Sequence, residues 1–151
     1  HHYHTDEKFP YFGHHTTNRD MLDLYEESSI EGMESGLIAY LAHPDLFMRS
    51  YPEFDTHCTS ISRHICRAAA RLNIPLEYNV GYMATNEARG IMTYPCPQFW
   101  HIAANEGCTA IIGLDAHNNL DLENPVYYDR ACKELKELKM PVIYTIPFLE
   151  Y

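Results

Sequence analysis

The chain has 151 residues, 46% of them apolar and 21% charged, with a formal net charge of -10. That is enough apolar chain for one domain with a real core, and no segment is disordered by composition. The acidic balance argues against a general nucleic-acid surface, which needs a basic face, and no apolar run approaches transmembrane length.

Residues 1–18 are polar, aromatic and histidine-rich and read as a loop. His1-His2-Tyr3-His4 has the look of a purification tag, but Tyr3 and the following Thr5-Asp6-Glu7 argue against one. There is no initiator methionine and no secretory signature. Asn18 or Asp20 is placed to cap a helix over Asp20–Glu34, with Met21, Leu22, Leu24, Tyr25 and Ile30 on its apolar face and Gly36 after its end. Leu37–Leu41 reads as a strand delivering His43-Pro44-Asp45, where Pro44 stops pairing. Residues 48–56 read as a loop. A helix is expected over Thr59–Leu72, stopped by Pro75, then a short strand over Leu76–Asn79. The glycine-bounded stretch Gly81–Gly90 reads as a loop, and Pro95 or Pro97 opens a helix ending near Gly107. Ala110–Ile112, closed by Gly113, suits a strand buried on both faces of a parallel sheet. Val126–Leu138 reads as a helix and Met140–Ile146 as a last strand. The alternation of helix and strand predicts α/β architecture with a parallel sheet, either open or one part of a larger barrel.

In such sheets ligands bind beyond the carboxyl ends of the strands. Asp115 and His117 follow one strand there. If the backbone stays extended, both project to one side and form half of a metal site; the alternative is a turn aspartate beside a surface histidine. His43 follows another strand in the same way. Asp45 is placed either to orient His43 or to cap its own turn. Glu77 and Asn79 share one face of a buried strand and need satisfying, by a ligand or by a hydrogen-bond network. Arg89 is a candidate phosphate clamp or a solvated loop arginine. His57, His64 and His101 read as surface or packing residues, and His14 and His15 as ligands or exposed loop residues. Five cysteines (58, 66, 96, 108, 132) without a C-x-x-C pair suit reduced thiols in a cytoplasmic protein.

Four stretches together resemble the polymerase-and-histidinol-phosphatase (PHP) superfamily, in its histidinol-phosphatase-like branch. They are Y-L-A-H-P-D-L-F at 40–47, I-P-L-E-Y-N at 74–79, Y-P at 94–95 with F-W-H-I-A at 99–103, and I-I-G-L-D-A-H at 111–117. They stand in the family's order, and the resemblance covers most of the chain from about residue 20. H-P-D-L-F combined with G-x-D-A-H is fairly specific. Leu114 stands where the family usually has serine.

The resemblance implies a distorted (β/α)7 TIM-like barrel with two or three divalent metals, Zn, Mn, Fe or Mg, at the strand ends. It implies metal ligation by His43, Asp115 and His117, and by His2, since H-H-Y at 1–3 is similar to the end of the family's G-Q-H-Y segment. The implied activity is hydrolysis of a phosphorylated small molecule by a metal-activated water, with Asp115, His117 and Arg89 as the catalytic group. The family's H-x-H motif and bridging glutamate are absent. His2-Tyr3-His4 lies too close to His43 to be that H-x-H, so the chain reads as a single partial domain from the C-terminal part of a PHP protein. Two rivals follow: a non-catalytic fragment that binds a metal or partners, with an exposed edge favouring homo-oligomers, and a PHP module attached to a polymerase. Neither membrane nor nucleic acid is an expected partner.

Overall fold

The computed structural model describes residues 11–117, 119, 122 and 125–146. Among them are six α-helices: α1 (Phe12–His15), α2 (Arg19–Glu34), α3 (Thr56–Leu72), α4 (Met83–Arg89), α5 (Pro97–Asn105) and α6 (Val126–Glu137). Two strands, β1 (Leu76–Asn79) and β2 (Ala110–Gly113), pair in parallel. The architecture is mixed α/β, and the sheet does not close into a barrel.

The helices begin where side chains satisfy their free N–H groups. Asn18 accepts from the Met21 N–H at 3.0 Å at the start of α2, and Asp55 from the Cys58 N–H at 2.9 Å at the start of α3. Asp55 starts α3 three residues before the expected Thr59. Pro97 occupies the first turn of α5, where its missing N–H costs nothing. The stretch read as a loop over Gly81–Gly90 contains α4 instead. Its interior, Met83-Ala84-Thr85-Asn86-Glu87-Ala88-Arg89, contains several good helix formers, and Gly90 at φ +65° closes it with a left-handed cap. The flanking glycine marked an end, not a loop.

The two outer expected strands shrink to single bridges. Leu41 pairs with Leu76, and Val142 with Ala110, both in parallel. Leu41 donates to the Pro75 carbonyl and accepts from the Glu77 N–H, while Leu37 is 74% exposed and outside the ladder. At the other side Pro141 lacks a donor and Lys139 sits at φ +56°, so pairing narrows to Val142 and its neighbours. The sheet therefore has four parallel lanes in chain order: Leu41, β1, β2 and Val142. β1 is buried throughout; in β2 only Ala110 is, so burial on both faces holds for β1 and not for β2.

The core lies between the lanes and α2, α3 and α5. Leu22, Tyr25 and Met33 of α2 meet Ile61, Ile65 and Ala69 of α3, all at most 1% exposed. Tyr78, on one face of β1, packs on Trp100 of α5 with ring centroids 4.6 Å apart and donates to Glu134 of α6. Glu77 and Asn79 take the opposite face. A Cβ on Gly113 would lie 1.8 Å from Glu77 Oε1, so the absence of a side chain at 113 is what lets the Glu77 carboxylate lie across β2.

Gly113→Ala is therefore expected to displace Glu77 and destabilise the protein by about 2 kcal/mol, measured by urea unfolding. Adding Glu77→Ala should remove the clash, so the double variant should be no less stable than Glu77→Ala alone; additive losses would contradict this packing.

A candidate site at the strand carboxyl ends

His43 leaves lane one with φ +54°, and Asp115 leaves β2 with φ +49°. A side-chain-bearing residue in the left-handed region costs on the order of 1 kcal/mol, and such strain concentrates at functional sites. The two lie on either side of β1, whose Glu77 and Asn79 stand between them.

Glu77 Oε2 accepts from the His43 backbone N–H at 3.0 Å and lies 3.5 Å from the ring Nδ1. Asn79 Oδ1 accepts from the Gly81 N–H at 2.9 Å, which turns the Asn79 amide nitrogen toward His43 Nδ1 at 3.2 Å. Tyr94 Oη lies 2.5 Å from the same nitrogen. Burial, with Asp45 and Glu77 nearby, pushes the Tyr94 phenol well above its ordinary pKa, so it keeps its proton. Asn79 and Tyr94 both reach Nδ1 and hold the ring in place, with the donor and acceptor roles set by its tautomer. Tyr25 completes the setting by donating to the His43 carbonyl at 2.5 Å.

Asp115 approaches the cluster through Gly81: a Cβ there would lie 3.1 Å from Asp115 Cβ and 3.2 Å from Asn79 Oδ1. Tyr40 lies at the same mouth, its pKa raised by burial and by the Glu77 and Asp115 carboxylates.

The backbone does not stay extended after β2. Its left-handed turn at Asp115 breaks the alternation that would have aligned Asp115 with His117. His117 is exposed, and its Nδ1 lies 2.6 Å from the Asp115 carbonyl oxygen, within hydrogen-bond reach. Arg89 ends α4, exposed, and takes no part in the hydrogen bonds of the cluster. His2 lies outside the described residues. Among the described residues no three His, Cys, Asp or Glu side chains converge to hold a metal ion, so these residues alone do not fit the metal centre that the resemblance implies.

Asp45 neither orients the His43 ring nor caps its own turn with its side chain. Its carboxylate accepts from the Cys96 N–H at 2.6 Å and from Trp100 Nε1–H at 3.1 Å, tying the His43 turn to the start of α5. Its other oxygen, Oδ1, has no hydrogen-bond partner among the described residues. His57 and His64 pair with Asp23 and Glu26 of α2, at 2.6 and 2.7 Å, which agrees with a surface role. His14 and His15 are exposed at the end of α1.

Reasoning from sequence missed the tyrosines around His43. It also missed Arg49, whose guanidinium sits 4.8 Å over the Tyr82 ring, itself against Tyr94. Tyr94 stood in the Y-P motif and was the one available signal. Tyr25 looked like any apolar-face residue of a helix. No known protein family, curated protein or solved structure matches the chain.

Burial raises the Asp45 pKa from 3.8 to about 7. Between those values the folded state holds a proton that the unfolded state has released, so the contribution of Asp45 to stability is greatest at low pH and falls as pH rises toward 7. For the Asp45 contribution alone, raising pH from 5 to 7 should cost wild type roughly 2 kcal/mol relative to Asp45→Asn, by urea unfolding. Parallel pH profiles for the two proteins would contradict the assignment.

Proposed function

We propose that the chain belongs to a metal-dependent phosphoesterase of the PHP kind acting on a small phosphomonoester. Its four lanes would be an arc of that family's distorted (β/α)7 barrel. The observation that carries this reading is the convergence of His43 and Asp115, both in left-handed backbone, on the Glu77–Asn79 face of β1. The four stretches that resemble the family are the stretches that build this mouth. H-P-D-L-F supplies His43, L-E-Y-N supplies Glu77 and Asn79, Y-P supplies Tyr94, and G-L-D-A-H supplies Asp115.

The mouth is acidic on an acidic chain. A bare phosphate would be repelled there, which favours a substrate accompanied by bound cations such as Zn, Mn, Fe or Mg. The described residues do not hold a metal by themselves, so the reading requires further ligands outside them, with His2 one of these. The chain's own contribution is orientation. Glu77 and Tyr25 grip the His43 backbone, and Asn79 and Tyr94 fix its ring through Nδ1. Free cysteines, four of the five buried, favour a reducing, cytoplasmic setting. The absence of a three-ligand cluster among the described residues favours one second reading, a PHP-like module that binds a partner without catalysis.

The purified chain, given each of the four metals, should release phosphate from p-nitrophenyl phosphate and from histidinol phosphate. His43→Ala or Asp115→Ala should lower the rate about a hundredfold or more, and His57→Ala should not. Arg89→Ala raising KM alone would give Arg89 the phosphate. A folded chain that binds no metal and turns over neither substrate would sink the enzyme reading and leave the binding module.

A further inference from the structure

Side chains alternate along β1, so Tyr78 points to the helices while Glu77 and Asn79 point to the His43 mouth. On the Tyr78 side α4, α5 and α6 do not close up completely. They leave a cavity of about 450 Å³, a size common among small-molecule sites. Three helices and a strand of the chain bound it. Tyr78, Met83, Ile91, Pro95, Trp100 and Leu138 give it an apolar interior, and Met92, 59% exposed, stands at its opening.

The walls are fixed before anything enters. Trp100 packs on Tyr78, and its indole N–H donates to Asp45 at 3.1 Å. Asn86 Nδ2 donates to the Tyr94 carbonyl at 2.7 Å, which fastens α4 to the segment leading into α5. From α6, Tyr127 donates to Glu87 of α4 at 3.0 Å, and Glu134 accepts from Tyr78 of β1. A preformed cavity spends little binding energy on ordering its own side chains.

Its charge is one-sided. Three carboxylates, Glu87, Glu134 and Glu137, line it with one guanidinium, Arg130. Arg130 Nε lies 2.8 Å from Glu134, and Glu137 lies 4.0 Å from Lys133. Glu87 instead meets the neutral phenol of Tyr127, and among the described residues no ion pair includes it. A positive head beside Glu87 is attracted, a neutral one is not, and a negative one is repelled.

We propose that this cavity binds a small organic ammonium compound, its apolar body against Trp100 and Tyr78 and its positive head at Glu87. The site is separate from the phosphoesterase reading, because His43, Glu77, Asn79 and Asp115 do not line it. Either can fail without the other.

Titration of the purified chain with biphenylmethylamine, followed by calorimetry, should show saturable binding. Biphenylmethanol should bind more weakly, and biphenylcarboxylate about tenfold or more below the amine. Trp100 is the single tryptophan of the chain, so its emission should change in step with the heat. Glu87→Gln, at an exposed position, should lower the affinity for the amine about threefold or more and leave that for the alcohol unchanged. Circular dichroism checks that the variant is folded. No saturable binding of the amine, equal binding of the carboxylate, or an affinity indifferent to Glu87→Gln would each overturn the proposal. Binding that leaves Trp100 emission unchanged would place the amine elsewhere and overturn it too.

Discussion

The Glu77 carboxylate is the constraint on which the strand-end arrangement depends. It is buried, lies across β2 because residue 113 has no side chain, and accepts the His43 N–H. One side chain thus links three neighbouring lanes on the face away from the helices. A buried carboxylate without partners would cost several kcal/mol, so its position is narrowly determined by the donors that meet it. His43 is held in left-handed backbone by the same bond and by Tyr25 from α2. The strain at one residue is offset by contacts from two distant elements.

A second buried carboxylate, Asp45, works on the opposite side of the same turn. It reaches the N–H of Cys96, just before α5, and the Trp100 indole, and Trp100 in turn packs on Tyr78 of β1. The H-P-D segment is therefore anchored by both its ends: the His43 backbone to the sheet, the Asp45 side chain to a helix. This explains how a short turn between lane one and α3 presents an imidazole in one orientation. Rigid support from packed elements, not the turn itself, sets the geometry.

Much of this was legible in the residues. β1 stood out because L-E-Y-N is bounded by Pro75 and Gly81, and α5 because Pro97 suits only a first turn. α2 and α3 announced themselves through apolar periodicity. What failed did so for identifiable reasons. α4 was hidden because its capping Gly90 resembles loop composition. Lanes one and four narrowed to single bridges because pairing at a sheet's flank depends on partners that local pattern does not encode. At the site, His43, Glu77 and Asn79 were visible as polar residues at strand ends. Tyr94 was visible only as part of the Y-P motif; its contact with His43, 51 residues away, arises only through the fold. The expected alignment of Asp115 with His117 assumed an extended backbone, which the left-handed turn at Asp115 breaks.

We propose that the mouth between His43 and Asp115 receives a divalent metal together with a phosphoester. Anomalous diffraction from crystals grown with Mn²⁺ or Zn²⁺ tests it most directly. A peak is expected at the carboxyl ends of the lanes, within coordination distance of His43 Nε2 and an Asp115 oxygen. Anomalous density confined to surface histidines such as His57 or His64, with none at the mouth, would contradict it.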